Sequence, residues 1–335
     1  METTVVSIDS ERISEEKIEK AALLIKKGEI VAFPTETVYG LGGDALNPAA
    51  SRKIYQAKGR SFTKPLIVLI ASMEDLEQLV SEVPEHARKL AEAFWPGPLT
   101  MVLKKSVKVP YETAGGKETI AVRMTSSPIA RALTIASGGF LTAPSANISG
   151  KPSPTLAEHV LCDLGGKIPM ILDGGAGGSG IESTIIDLTG GEPFILRQGY
   201  IPIEKITEVI GPVQVKEQNA GKQYAPKAKL VLVDGAPERV AQKINEIASD
   251  LKKEGKKIGI IATDETAAFY QSGEVISLGS RTDEEELARH LYQILREFDQ
   301  RGVDRIYSEN FKTEGIGQVV ADRLRKAAGN QDIYV

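Results

Sequence analysis

Helical and strand-like segments alternate along most of this chain. Ile18, Ala21, Ala22 and Ile25 would share one face of a helix, and the apolar run 30–33 that follows predicts a buried strand. Helices are also predicted over 52–58, over 87–94 and from about 128. Further short strands are predicted over 66–71, 99–103, 119–124, 141–143, 170–172, 183–187 and 194–197. This alternation indicates a mixed α/β architecture.

The alternation stops in the polar stretch GPVQVKEQNAGKQYAP (211–226), which has prolines near each end and is typical of an interdomain linker. Regular strand–helix units resume beyond it, and Thr282 with Glu285 forms a predicted capping box for a long helix. The turn DGAPER lacks a dinucleotide fingerprint. We therefore predict a domain over 1–210, a linker over 211–228 and a small parallel three-layer domain over 229–335.

Composition limits the class of protein. The 335 residues are 41% hydrophobic and 26% charged, as in soluble globular chains of about two domains. No apolar run approaches the roughly 20 residues needed to cross a membrane, and no signal peptide is evident. A single cysteine, Cys162, fits a reducing, cytoplasmic compartment. Three scattered histidines predict no metal site, and the net charge of −4 gives no general basic surface for nucleic acid.

Two segments before residue 70 contain residues suited to ligand binding. In 34-PTETVYGLGGDA-45 the hydroxyls of Thr35, Thr37 and Tyr39 precede a glycine run that lets backbone approach a ligand closely, although an ordinary strand–loop connection has the same pattern. In 58-KGRSFTKPL-66 three cations lie within seven residues of a predicted loop. Such a cluster can bind a polyphosphate, although most charge clusters are solvated basic surfaces.

Arg123 lies in the apolar strand 119-TIAVRM-124. A buried arginine needs an anionic partner, which can be a ligand or a structural carboxylate. The segment 143-APSANISGKPSP-154 offers hydroxyl and amide donors suited to phosphates. The glycine run 174–180 precedes ESTIID as a flexible lid or a tight loop. Cations and hydroxyls without an obvious nucleophile suit nucleotidyl transfer, in which positioning and electrostatics contribute most.

Taken in order, these segments resemble the threonylcarbamoyl-AMP synthase family in its two-domain form. The matching motifs are PTETVYGLG, AKGR…PLIV, WPGPLT, AVRM, APSAN, SGKPSPT, ESTIID and LRQG, followed by QYAP and GIG…ADRLRKAAG. The resemblance implies a YrdC-like twisted mixed sheet with helices and a central positively charged cavity, and a Rossmann-like C-terminal domain. It also implies conversion of ATP, L-threonine and bicarbonate, with Mg²⁺, to threonylcarbamoyl-AMP and pyrophosphate. A downstream tRNA-threonylcarbamoyl transferase machinery would use this product; direct tRNA binding stays open.

The resemblance also assigns roles to particular residues. Threonine would be bound by Thr37, Arg123, Ala143 and Ser183. ATP would be bound by Lys58, Arg60, Lys64, Thr119, Ser145, Asn147, Ser153 and Arg197. Lys58, Arg60 and Arg123 would be catalytic, and no residue is expected to bind a metal directly.

The sequence departs from the family pattern at four positions. Lys64 stands where asparagine is usual, Leu69 replaces a histidine, Thr125 replaces a proline and Gln198 replaces a proline. The linker also differs, with only Tyr224, Ala225 and Pro226 clearly retained. Two other hypotheses are therefore kept: a paralogue that adenylates another carbamoylated amino acid, and a non-catalytic nucleotide- or RNA-binding module.

Overall fold

The chain folds into two units in a computed structural model that describes residues 2–216, 223–311 and 315–335. The first unit comprises Met1–Ser149 and Ser153–Gln218, and the second comprises Gly150–Pro152 and Asn219–Val335.

The domain limits 1–210, 211–228 and 229–335 stay a prediction, and residues 217–222 of the proposed linker lie outside the described residues. Within that linker, Gln214 and Val215 form a short strand paired with Phe194 and Ile195. The predicted linker therefore includes one short strand.

The first unit combines short strands with helices of four to twelve residues. Its strands are β1 (Thr4–Ser7), β2 (Val31–Phe33), β3 (Gly40–Gly42), β4 (Ile67–Ile70), β5 (Leu99–Lys104), β6 (Thr119–Met124), β7 (Leu141–Thr142), β8 (Met170–Asp173), β9 (Thr184–Asp187), β10 (Phe194–Arg197) and β11 (Gln214–Val215). Its helices are α1 (Glu15–Lys26), α2 (Pro48–Lys58), α3 (Met73–Leu79), α4 (Glu85–Phe94), α5 (Tyr111–Ala114), α6 (Pro128–Ala136), α7 (Ala157–Leu164) and α8 (Ile203–Ile210).

The described strands of this unit form two sheets. One has the order β1-β8-β2-β3, and the other has the order β11-β10-β9-β5-β6-β4-β7. Strand β6 runs parallel to β4 and antiparallel to β5, and β5 runs parallel to β9. The predicted mixed sheet is confirmed.

Helix α2 shows how local sequence sets the limits of an element that carries a site residue. The side chain of Asn47 accepts a hydrogen bond from the backbone N–H of Ala49 at 2.9 Å, and Pro48 supplies a helical φ at the first position. The helix ends at Lys58 because Gly59 adopts a left-handed conformation with φ 59°. Lys58 is therefore the last residue of a helix, as the prediction over 52–58 has it, and the loop that carries Arg60 and Lys64 begins after it.

The second unit is an all-parallel sheet with helices. Its elements are β12 (Lys229–Asp234), α9 (Pro237–Lys253), β13 (Ile258–Ala262), β14 (Glu274–Ser277), α10 (Glu284–Arg301), β15 (Arg305–Glu309), α11 (Gly315–Ala328) and β16 (Asp332–Tyr334). The strand order is β14-β13-β15-β12-β16, and each described pair is parallel.

Strand β13 contacts helices on both of its faces. Ile258, Ile260 and Ala262 belong to the apolar cluster that contains Ile244 of α9. On the opposite face, a Cβ added at Gly259 would lie 2.6 Å from the ring of Phe298 in α10, so a side chain there would force that ring to move. The predicted three-layer arrangement is confirmed.

The start of α10 differs from the prediction by one residue. The side chain of Asp283 accepts a hydrogen bond from the backbone N–H of Glu286 at 2.9 Å. A capping box between Thr282 and Glu285 is therefore wrong. Aspartate is among the strongest N-cap residues, which explains why the helix begins one position later.

Candidate active site

Arg123 lies near the end of β6, in the interior of the seven-stranded sheet, and is only 4% exposed. Its Nη1 donates to the hydroxyl of Thr37 at 3.3 Å, and its Nη2 lies 3.6 Å from Oε2 of Glu36. Burial lowers the pKa of Arg123, Glu36 opposes this effect, and nearby Arg197 lowers the pKa further. An arginine stays protonated in a protein even so. The site therefore favours an anionic ligand.

The segment that holds Thr37 follows β2 and is ordered by hydroxyl hydrogen bonds. Thr35 donates to the carbonyl of Val38 at 2.6 Å and shares a hydrogen bond of 2.9 Å with Thr37. Because the single hydroxyl proton of Thr35 is used on Val38, Thr37 must donate to Thr35 and is left to accept from Arg123. These hydroxyls therefore form a polarised chain that ends at the guanidinium.

The glycine run 174–180 packs on this same segment. Backbone N–H groups of Gly178, Ser179 and Gly180 donate to the carbonyls of residues 35, 36 and 37 at 3.2, 2.9 and 3.1 Å. A Cβ at Gly178 would lie 2.1 Å from the carbonyl oxygen of Glu36, so only glycine fits. The structure favours the tight loop over the flexible lid.

Ser183 and Arg197 are brought together by adjacent strands β9 and β10. Arg197 donates from Nε and Nη2 to the carbonyl of Ser183 at 3.1 and 2.8 Å, and from Nη2 to its hydroxyl at 3.2 Å. That hydroxyl also shares a hydrogen bond of 2.8 Å with Thr100 of β5. Ser183, assigned to threonine, and Arg197, assigned to ATP, are therefore hydrogen-bonded to each other. Thr100 belongs to the same group of side chains, and the sequence analysis did not single it out.

A second group of predicted residues gathers where α2 ends. Lys58 is 1% exposed, and its Nζ donates to the carbonyl of Asn147 at 2.7 Å and to that of Ser145. Lys58, Ser145 and Asn147, all assigned to ATP, therefore lie together. Their contact fixes the loop after β7 against the helix, since a buried ammonium must satisfy its protons.

The cations that follow Lys58 are less buried. Arg60 donates to the carbonyls of Lys64 and Pro65 at 3.3 and 3.1 Å, which folds the loop back on itself. The side chain of Lys64 is exposed. Arg60 thus orders the loop.

Ser153, Ala143 and Thr119 have separate surroundings. Ser153 is buried and donates to Oε1 of Glu182 at 2.7 Å, a partner that sequence reasoning missed. Ala143 follows β7, and its backbone N–H donates to the carbonyl of Ile67 at 2.8 Å. Thr119 begins β6, four residues and roughly 13 Å along the strand from Arg123. Thr119 is not brought to the Arg123 cluster.

Glu36 and Thr125 complete the surroundings of Arg123. Thr125 donates from its hydroxyl to Oε2 of Glu36 at 2.5 Å. The sequence left a structural carboxylate open as the partner of Arg123 but did not single out Glu36. Its position between Thr35 and Thr37, two residues already singled out for ligand binding, could have indicated it. Leu69, opposite Arg123 in the β4–β6 register, is fully buried among apolar residues.

Three further features concern metal binding, membrane spanning and cavities. Within the described ranges, no group of three or more His, Cys, Asp or Glu side chains could hold a metal ion. In the same part of the chain, no helix is both long and apolar enough to cross a membrane. A cavity of about 320 Å³ lies beside β9, β10 and β11, and none of the predicted site residues lines it.

Comparison with known proteins gives full-length similarity. Residues 23–199 match the family described as "Telomere recombination", and residues 201–329 match the "Threonylcarbamoyl-AMP synthase, C-terminal domain". The threonylcarbamoyl-AMP synthase of Pyrococcus abyssi is 47% identical, over 99% of this chain and 100% of the relative. That of Bacillus subtilis is 45% identical, over 95% of this chain and 94% of the relative.

Solved structures give the same result. The crystal structure of P. abyssi Sua5 complexed with L-threonine is similar to this chain, with a TM-score of 0.92 and 46% identity over 99% of both chains. The structure of Escherichia coli YciO is 25% identical with a TM-score of 0.55, and it covers 61% of this chain and 98% of its own.

The fold and these matches define an α/β enzyme with a YrdC-like unit and a Rossmann-like unit, of the class that transfers a nucleotidyl group. The chain belongs to the threonylcarbamoyl-AMP synthase family. The resemblance inferred from its motifs is confirmed.

Proposed function

We propose that this chain forms threonylcarbamoyl-AMP and pyrophosphate from L-threonine, bicarbonate and ATP. The observation that carries the proposal is the buried guanidinium of Arg123, which lies beside the Arg197–Ser183 unit in a chain of this family. A relative of 46% identity has been solved in complex with L-threonine.

In the proposed reaction the threonine amine and bicarbonate give a carbamate with loss of water. A carbamate oxygen then attacks the α-phosphate of ATP, and the bond to pyrophosphate breaks. Arg123 would bind the threonine carboxylate as a bidentate fork, supported by Thr37 and Ser183, with backbone near Ala143 assisting. Arg197 would stabilise negative charge that develops on the α-phosphate.

The nucleotide would be held mainly by the group at the end of α2. Lys58, Arg60 and Lys64 supply positive charge, and the loop with Ser145, Asn147 and Ser153 supplies polar groups for the phosphates. In this proposal Lys58 acts chiefly by fixing that loop, because its Nζ donates to two carbonyls there. Thr119 would contact the nucleotide at the far end of β6.

Mg²⁺ would enter with ATP. Magnesium usually binds through substrate phosphates, water and at most one or two carboxylates, so it does not require a cluster of protein ligands. The groups near Arg123 and Lys58 are cations, hydroxyls, carbonyls and the carboxylate of Glu36, which suits a metal held mainly by the phosphates. When bound, the ion would neutralise phosphate charge. The product would pass to a tRNA-threonylcarbamoyl transferase machinery.

The test is pyrophosphate release by the purified full chain with ATP, Mg²⁺ and bicarbonate, with amino acids added one at a time. We expect release that requires both threonine and bicarbonate. Release with a different amino acid would replace the proposed substrate, and ATP binding without release under any condition would contradict an enzymatic role.

A further inference from the structure

Two polar atoms beside the predicted threonine site are buried without a hydrogen-bond partner. They are Oε1 of Glu36 and Nε of Arg123. Native proteins rarely leave buried polar atoms unsatisfied, and such atoms at a site indicate a ligand that completes them. One of these atoms can only accept a hydrogen bond and the other can only donate one, because a carboxylate has no proton and a guanidinium has no acceptor.

The two side chains are held as a pair. Arg123 Nη2 lies 3.6 Å from Glu36 Oε2, and the side chains are 5% and 14% exposed. That same Oε2 accepts the hydroxyl proton of Thr125 at 2.5 Å, so Oε1 is the carboxylate oxygen left for another donor. On the arginine, Nη1 donates to Thr37 and Nη2 faces Glu36, and Nε is the nitrogen left for another acceptor.

A free α-amino acid carries the two groups that this pair lacks, a carboxylate and an ammonium on one carbon atom. We infer that Glu36 binds the α-ammonium of the substrate while Arg123 binds its carboxylate, so that the Glu36–Arg123 pair recognises the zwitterion. This inference rests on the proposed function, and it adds a specificity-determining residue for which the motifs gave no role. A simple acid or a simple amine satisfies only one half of the pair.

Thr125 positions Glu36 in this arrangement. Its hydroxyl donates to Oε2 and also accepts from the backbone N–H of Ser127 at 3.2 Å, which fixes the rotamer of the threonine at the end of β6. A proline at this position offers no hydroxyl. The Thr125 departure is therefore one way in which this chain orients the carboxylate toward the ligand.

The test compares L-threonine with (R)-3-hydroxybutyrate, which keeps the carboxylate, the hydroxyl and the methyl group and lacks only the amine. Binding of each to the full chain is measured by calorimetry. For Glu36→Gln we expect threonine to bind about 10- to 100-fold more weakly. We expect hydroxybutyrate to bind as well as, or better than, it does to the wild type, because Arg123 no longer shares its charge with a carboxylate.

Three further variants separate recognition from folding. Thr125→Val should weaken threonine binding by a smaller factor than Glu36→Gln does. Thr125→Ser keeps the hydroxyl and should bind threonine with an affinity close to that of the wild type. Glu29→Gln removes a carboxylate from an ion pair with Lys53 on the same unit and should leave the ratio of the two affinities unchanged.

If the wild type binds threonine and Glu36→Gln loses affinity for both ligands by the same factor, Glu36 has a purely structural role. That result would overturn the inference and leave the proposed function intact. Failure of the wild type to bind threonine would instead overturn the proposed function, and the inference with it. If Glu36→Gln does not fold, an unchanged affinity ratio in Thr125→Val would overturn the positioning claim.

Discussion

The buried Nζ of Lys58 donates to the backbone carbonyl of Asn147 at 2.7 Å and so joins the end of α2 to the loop that follows β7. We predict that Lys58→Met unfolds more easily by about 1–3 kcal/mol, because the buried carbonyl of Asn147 loses the Lys58 donor and that of Ser145 keeps the backbone N–H of Asn147 at 3.0 Å. Urea denaturation measures this change. Lys53→Met on the same helix is the control. Its side chain is 41% exposed, and its Nζ pairs with Glu29 and donates to the carbonyl of Gly28 at 2.8 Å. Because these contacts are partly exposed, their loss should cost less than about 1 kcal/mol. Equal losses would contradict the buried role.

Replacement of Arg123 should separate the two substrates. Arg123→Lys keeps the charge but loses the planar fork that binds a carboxylate bidentately. We expect the KM for threonine to rise by about 100-fold or more, which corresponds to roughly 3 kcal/mol. The affinity for ATP should be nearly unchanged. Steady-state pyrophosphate release and nucleotide titration measure these quantities, and an unaltered KM for threonine would exclude Arg123 as the carboxylate ligand.

Gly178→Ala tests the contact between the glycine run and the segment 35–37. The added Cβ would lie 2.1 Å from the carbonyl oxygen of Glu36, so either the loop or the segment must move. We predict a loss of stability of about 1–3 kcal/mol and weaker threonine binding. Gly191→Ala is the matched control, because nothing lies within 4 Å of its Cβ position. Similar thermal unfolding of the two variants would show that the contact is unimportant.

Asp299 gives a prediction about pH. Burial raises the pKa of its carboxyl, and the backbone N–H of Lys227 and nearby cations oppose this effect. A folded pKa above the unfolded one means that ionisation disfavours the folded state, so stability falls as pH rises from about 4 through the raised pKa. Asp299→Asn should therefore match the wild type in stability at low pH and exceed it at neutral pH. Chemical denaturation of the wild type and of Asp299→Asn at pH 3 and pH 7 measures these stabilities. A variant less stable than the wild type at pH 7 would contradict the prediction.

The sequence predicted the elements whose patterns are local. The strands 119–124 and 194–197 have the predicted bounds, because short apolar runs between turn signals define buried strands. Strand β3 (Gly40–Gly42) was missed because a glycine run has no strand pattern of its own. It exists through pairing with β2, which periodicity does not reveal.

The candidate site shows the same division. Burial of Arg123 followed from its apolar neighbours in β6. Its contact with Glu36 depends on the approach of the segment after β2 to the end of β6, residues 87 positions apart, and a single sequence carries no periodic signal for that. Lys58 was recognised as a cation, but its donation to backbone carbonyls depends on the fold of a loop that lies almost 90 residues later.

The most direct test of the proposed reaction follows the carbon of bicarbonate. The full chain is incubated with ATP, Mg²⁺, L-threonine and ¹³C-bicarbonate, and the nucleotide product is analysed by mass spectrometry. We predict threonylcarbamoyl-AMP that carries one ¹³C atom, formed together with pyrophosphate and strongly reduced in Arg123→Lys. Pyrophosphate accompanied only by unlabelled AMP, or a labelled adenylate that forms without threonine, would contradict the proposed function.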